Sequence, residues 1–181
     1  RLSLVGSEMC IRDRFMIEPV LYGPIESLKF RLMSFLRLNR QLSIADGAAK
    51  RRKQFSSIEE AVSSYTGRGA FTTWSATWIE NYLRGGTTQL AEGIELSCSP
   101  EWEAATFRSS SMDSWSYLKK IKINVKVLYG SAGSTFSSQA RKVLFNLGEN
   151  WNPIYYKEAS HFLPMEFPDS VTRELEAYLK E

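Results

Sequence analysis

From Ile123 to the C-terminus the spacing of apolar residues changes period repeatedly, and each change marks an element. Ile123-Asn-Val-Lys-Val-Leu-Tyr129, rich in β-branched and aromatic side chains and closed by Gly130, predicts a strand. Ser137 to Leu147 sets Ala140, Val143, Leu144 and Leu147 at helical spacing. Ile154 to Tyr156 predicts another strand, and a turn carrying His161 follows. Pro168 then opens an amphipathic helix with Val171, Leu175, Tyr178 and Leu179 as its expected buried face. Strand, helix, strand, helix implies a parallel sheet with helices packed on its faces, an α/β fold.

Upstream, Phe15-Met-Ile-Glu-Pro-Val-Leu21 predicts a strand. Glu18 belongs to no helix there, because the residue before a proline is pushed towards extended geometry. Residues 24 to about 121 are mostly helical in pattern. Leu28, Leu32, Phe35 and Leu36 share a helix face. Ser57-Ile-Glu-Glu60 is a capping box, followed by Val62 and Tyr65. Trp74, Trp78 and Tyr82 recur every four residues beside Ile79 and Leu83, and Ser99-Pro100 caps and opens a helix carrying Trp102 and Phe107. Gly67, Gly69 and Gly85-Gly86 punctuate the run.

Composition narrows the function classes. The 181 residues are 43% hydrophobic and 24% charged, enough for an ordinary globular domain with a sizeable core. The net charge of +3 is mild. Lys50-Arg51-Arg52-Lys53 is the one dense basic cluster, and it is expected to be a solvated helix face, since no nucleic-acid signature accompanies it. No apolar run approaches the ~20 residues that span a bilayer. Cys10 and Cys98 form neither a metal spacing nor a disulfide framework, so a reducing, cytoplasmic setting is expected, with no metal or organic cofactor.

The candidate chemistry centres on His161, the only histidine. Ligands of open parallel sheets bind beyond the carboxyl ends of the strands, where His161 falls. The plainer reading is a hydrogen-bonded histidine at a strand end. Val127-Leu-Tyr-Gly130, a helix, a strand, then Ala159-Ser-His-Phe-Leu-Pro-Met-Glu-Phe-Pro168 resembles the C-terminal end of the α/β-hydrolase fold family in order, spacing and flanking residues. The resemblance implies that His161 is a catalytic base. It also implies that the chain holds the last three strands of that sheet, with a helical lid inserted between the sixth and seventh. The expected divisions are a core strand at 15–23, a lid at 24–121 and a C-terminal core at 122–181. Residues 1–14 lack a sustained period and resemble translated library-adapter sequence, so the native sequence is expected to begin near Phe15. The nucleophile elbow of the family, G-x-S-x-G, occurs nowhere in residues 15–181. The missing N-terminal half of the same protein is therefore an expected partner, and the chain alone is expected to be inactive, with an open edge on its first strand.

A Ser-His-acid triad also needs a carboxylate to orient the imidazole. The loop Gly130-Ser-Ala-Gly-Ser-Thr-Phe136 contains none, whereas Glu18 ends the sixth strand, the alternative place that the resemblance implies. Asp113, Glu158, Glu166 and Asp169 fit less well, and Ser134 and Thr135 are expected to bond neighbouring backbone. Phe71, Trp74, Trp78, Trp102 and Phe107 are, as a group, candidates to meet a small apolar substrate, although a stripe at helical spacing is core by default. The resemblance implies an ester-cleaving enzyme with an upstream serine. An upstream aspartate would instead imply epoxide or carbon–halogen cleavage. From another class, a non-catalytic binding protein could use the same scaffold as a receptor.

Overall fold

The structure, a computed structural model, describes residues 13–36, 43–109, 114–131 and 133–180, so Asp113 lies outside the described residues. In chain order the elements begin β1 (Asp13–Ile17), α1 (Pro24–Phe35), α2 (Ser43–Ala49), β2 (Gln54–Phe55), α3 (Ile58–Tyr65) and α4 (Ala76–Gly86). They continue β3 (Thr87–Gln89), β4 (Ile94–Leu96), α5 (Pro100–Ser109), α6 (Trp115–Leu118) and β5 (Asn124–Gly130). The chain closes with α7 (Ser138–Phe145), β6 (Trp151–Tyr156), α8 (Leu163–Glu166) and α9 (Pro168–Lys180). Two compact units result, one from Arg1–Lys29 with Met112–Glu181 and one from Phe30–Ser111.

The first unit is built on a three-stranded parallel sheet in the order β1-β5-β6. β5 is central, and both of its faces are covered, which is why its sequence is a near-continuous apolar run. Val125 and Val127 pack with Leu21, Trp115, Phe136 and the α7 residues Ala140 and Leu144. Leu128 faces the other way, onto Ala159, Leu163 of α8 and Val171 of α9. β1 starts earlier than expected: Asp13 and Arg14 already pair with Asn124 and Val125, so the sheet reaches into the stretch that the sequence set aside. β6 starts at Trp151 and contains Pro153, which an edge strand tolerates because one row of its backbone groups needs no partner. The buried face of α9 is shorter than its period suggested. Val171 is buried and Tyr178 meets Phe15, but Leu175 and Leu179 are 38% and 73% exposed. The three-stranded sheet still meets the far end of that helix through Phe15 and Lys126, and Leu175 and Leu179 lie outside the strip it covers.

The second unit is less purely helical than its pattern. β2, β4 and β3 form a small antiparallel sheet in that order, and strands of two or three residues are too short to show a period. Gly93 turns β3 into β4 with φ 84, where an added Cβ would collide with the Phe55 carbonyl. Ser57 caps α3 through the Glu60 N–H at 3.2 Å, but the Glu60 carboxylate accepts from the N–H and hydroxyl of Ser56, one residue beyond the expected box. The basic cluster lies after α2 rather than on a helix face. Arg51 pairs with Glu103, Arg52 with Glu60 and Lys53 with Glu95, at 2.5–2.6 Å. On α1 and at the residue after it, Leu28, Leu32, Phe35 and Leu36 share a face as predicted, yet each is more than half exposed.

Candidate active site

The site begins where β1 stops. The Glu18 N–H donates to the Leu128 carbonyl at 2.9 Å as a last rung, and Pro19 then removes the next donor. Glu18 itself sits at φ 42, a left-handed conformation that costs a residue with a Cβ on the order of 1–2 kcal/mol. The kink ends the pairing of β1 with β5, and the chain bridges again at Leu21, opposite Phe136. The Leu21 N–H donates to the Thr135 carbonyl at 3.1 Å, and the Ser137 N–H donates to the Leu21 carbonyl at 3.0 Å. Ser137 in turn caps α7 by accepting from the Ala140 N–H at 3.1 Å, and its hydroxyl donates to Glu26 at 2.5 Å. The segments 18–21 and 134–137 are thereby stapled together, with the Glu18 side chain directed at the loop after β5.

That side chain is buried, with 1% of its surface exposed. It accepts from the Gly130 N–H and from the Ser134 hydroxyl, which lies 2.9 and 3.1 Å from its two oxygens. Burial works to raise the carboxyl's pKa. His161, the Gly130 N–H and the Ser134 hydroxyl outweigh it and hold Glu18 below the ordinary carboxylate value, so it stays ionised.

His161 is delivered by the turn after β6. Gly130 lets that turn come close, since an added Cβ would collide with the Ala159 carbonyl, which accepts from the Ser131 N–H at 2.9 Å. Glu166, at the end of α8, reaches back to accept from the Ser160 N–H at 2.7 Å and the Ser160 hydroxyl at 2.6 Å. Ser160 also accepts from the Phe162 N–H at 3.1 Å, so both neighbours of His161 are fixed. The imidazole Nδ1 then stands 2.8 Å from Thr135 Oγ1 and 3.7 Å from Glu18 Oε2. At 3.7 Å the carboxylate is beyond direct hydrogen-bonding range and acts on the ring as a charge. The ring is 32% exposed. A buried anion beside a reachable imidazole is an arrangement suited to proton relay.

The structure thus brings Glu18 and His161 together. Glu158 is exposed, and Asp169 is exposed in the first turn of α9. Ser134 and Thr135 go beyond the backbone bonding expected of them: Ser134 does accept from the Phe136 N–H at 3.1 Å, but it also serves Glu18, while Thr135 serves His161. Glu166, weighed from the sequence as a candidate acid, instead fixes Ser160, and Gly130, read there as a strand end, admits the turn carrying His161. For Glu166 the only trace in the sequence is a carboxylate six residues after a serine.

The five aromatic candidates all belong to the second unit. Phe71 and Trp74 are buried and meet edge to face at 5.1 Å, in a cluster with Tyr65 and Tyr82. Trp78 and Trp102 are 36% and 71% exposed, and Phe107 packs on Ala45, Ala48 and Ala104. In the first unit, a groove of about 370 Å³ between β5, β6 and α7 is lined by Tyr129, Arg141, Phe145 and Tyr155, among others, and includes neither Glu18 nor His161. Among the described residues there is no cluster of three or more His, Cys, Asp or Glu side chains that could hold a metal, and no helix long and apolar enough to cross a membrane.

No protein-family model matches the sequence, and no curated protein matches it. Solved structures do match. An E-2-(acetamidomethylene)succinate hydrolase superposes with a TM-score of 0.68 over 94% of this chain and 58% of its own, at 16% identity. A peroxisomal alpha-beta-hydrolase from Saccharomyces cerevisiae gives 0.65 over 93% of this chain and 45% of its own, also at 16% identity. The architecture matches part of the α/β-hydrolase fold. A thioesterase domain from the curacin biosynthetic pathway shares it, at 0.61 over 91% of this chain and 57% of its own, with 13% identity. Identities this low carry the architecture and leave the chemistry to be argued from the site. The chain spans roughly half the length of these α/β-hydrolase-fold proteins.

Proposed function

We propose that this chain is the C-terminal part of a hydrolase and supplies the base and the acid of a catalytic triad. The observation that carries the reading is the buried, ionised Glu18 held 3.7 Å from the only histidine, at the carboxyl edge of a parallel sheet. Several donors stabilise that charge where an apolar residue would pack more simply, which favours a working site over a structural one. In the proposed reaction a serine N-terminal to Phe15 attacks the carbonyl of a small apolar ester. His161 Nε2 takes the serine proton and returns it to the leaving alkoxide, while Glu18 stabilises the imidazolium. Water, activated by the same imidazole, then cleaves the acyl-enzyme. The segment carrying the serine would pair with β1 along the edge away from β5.

The test is to sequence the source template upstream of Phe15 and assay the complete protein on a short-chain aryl ester. A serine elbow and ester turnover are expected, with His161→Ala abolishing turnover. For Glu18→Gln, a unit charge at 3.7 Å is worth between about 1 kcal/mol in water and about 4.5 kcal/mol at an effective dielectric of ~20, so kcat should fall by roughly 10- to 10³-fold. An aspartate at the elbow would move the chemistry to epoxides or haloalkanes. No nucleophile there would leave the receptor reading in its place.

A further inference from the structure

His161 Nδ1 has two polar neighbours that constrain it differently. The Glu18 carboxylate can only accept a hydrogen bond, whereas the Thr135 hydroxyl can donate or accept. If Thr135 donates to Nδ1, the ring proton sits on Nε2, and no lone pair is left for a nucleophile's proton. If Thr135 accepts, the proton sits on Nδ1 and Nε2 is bare. Charge decides between the two. The buried carboxylate 3.7 Å from Nδ1 repels a lone pair at that nitrogen and attracts an N–H. Glu18 is already engaged by the Gly130 N–H and the Ser134 hydroxyl, and it stands too far from the ring to take the bond itself. Thr135 is within bonding distance at 2.8 Å, and its backbone is pinned by the bond its carbonyl accepts from the Leu21 N–H.

We propose that Thr135 Oγ1 is the direct acceptor of His161 Nδ1–H and orients the ring, while the Glu18 carboxylate selects that tautomer through its charge. The inference rests on reading His161 as a general base and makes Thr135 a positioning residue for it. Direct contact and charge, which one carboxylate supplies together when it touches the ring, are here divided between two side chains.

Because the chain has one histidine, ¹⁵N-histidine labelling gives a single imidazole to observe. At alkaline pH, where the ring is neutral, long-range ¹H–¹⁵N spectra of the 181-residue chain should show a protonated Nδ1, a bare Nε2 and an NOE from Hδ1 to the Thr135 side chain. Thr135→Val should shift this pattern towards the Nε2–H form dominant in free imidazole, short of erasing it, because the Glu18 charge remains. Thr135→Ser should keep it, and Glu18→Gln should weaken it with Thr135 in place. A wild-type ring protonated on Nε2, or a Thr135→Val spectrum identical to wild type, overturns the proposal. Should Thr135→Val fail to fold, the wild-type NOE decides, and its absence counts against the proposal. None of these readings depends on turnover. An inactive complete protein with the Nδ1–H pattern intact would sink the hydrolase reading and spare this one, and an active enzyme without the pattern would do the reverse.

Discussion

Ser134→Ala isolates what holds the Glu18 carboxylate in place. The Ser134 hydroxyl lies 2.9 and 3.1 Å from the two Glu18 oxygens and accepts from the Phe136 N–H at 3.1 Å, so its loss strips a donor from a buried anion and an acceptor from a backbone amide. A hydrogen bond to a charged group contributes about 1.5–3 kcal/mol. With Glu18 1% exposed, water replaces little of that, and a loss of roughly 2 kcal/mol is expected at neutral pH. Urea unfolding of the chain, followed by fluorescence of the buried Trp115 and Trp151, measures it. The pH dependence carries the sharper information. Glu18 titrates below its ordinary value of 4.5 in the folded protein, so stability from its ionised form is complete above about 4.5 and is lost as pH falls through the folded value. The deficit of Ser134→Ala should therefore be full at pH 7 and shrink in acid, where wild type also carries a neutral Glu18. It should also shrink in a Glu18→Gln background. A deficit under ~0.5 kcal/mol at pH 7, or one equal at pH 7 and in acid, would refute the argument that Ser134 acts through the Glu18 charge.

Three further outcomes can be checked on the same chain. Gly130→Ala should destabilise the first unit by about 1–3 kcal/mol, because the new Cβ collides with the Ala159 carbonyl, and it should perturb the His161 ring resonances, since that carbonyl belongs to the turn carrying the histidine. Phe136→Ala, which removes a fully buried ring meeting Tyr129 and Phe145 near right angles, should cost about 3–5 kcal/mol in urea unfolding. In the second unit Glu60 is held down to about 2, by the Ser56 N–H, Arg52 and the Ser56 hydroxyl. Its contribution should persist above about 4.5 and disappear as pH falls through about 2, so Glu60→Gln should flatten the acid limb of that unit's pH–stability curve in calorimetry.

The central strand was legible because burial on both faces leaves a near-continuous apolar run broken by Lys126, and α7 because Ala140 and Leu144 repeat at helical spacing. Glu18 and His161 were legible through position, one before a proline at a strand end and the other in the turn after the last strand. Contacts that depend on where a loop folds left no such mark. Ser134 and Thr135 are polar residues in a glycine-containing loop, and only the bridge between Leu21 and Phe136 determines that one meets Glu18 and the other His161. Periodicity misled on the buried face of α9. An apolar stripe records a face suited to burial without showing what covers it, and Leu28, Leu32 and Leu179 remain exposed.

The order of strands in the sheet also sets an order in time. Val125 of β5 pairs with Trp151 of β6, roughly 26 positions away, while Asp13 of β1 pairs with Asn124, roughly 110 positions away. Closing the longer loop costs about 1.3 kcal/mol more in chain entropy, unless the intervening segment has already collapsed and shortened it. On loop entropy alone, the β5–α7–β6 unit, with Thr135 and the turn carrying His161, is favoured to form first, and β1 to dock onto it later. Glu18 sits at the end of that late strand, in a backbone conformation that resists it. In that order Glu18 would reach His161 last and leave it first when the sheet opens, so partial unfolding would separate the charge from an imidazole still in its folded setting.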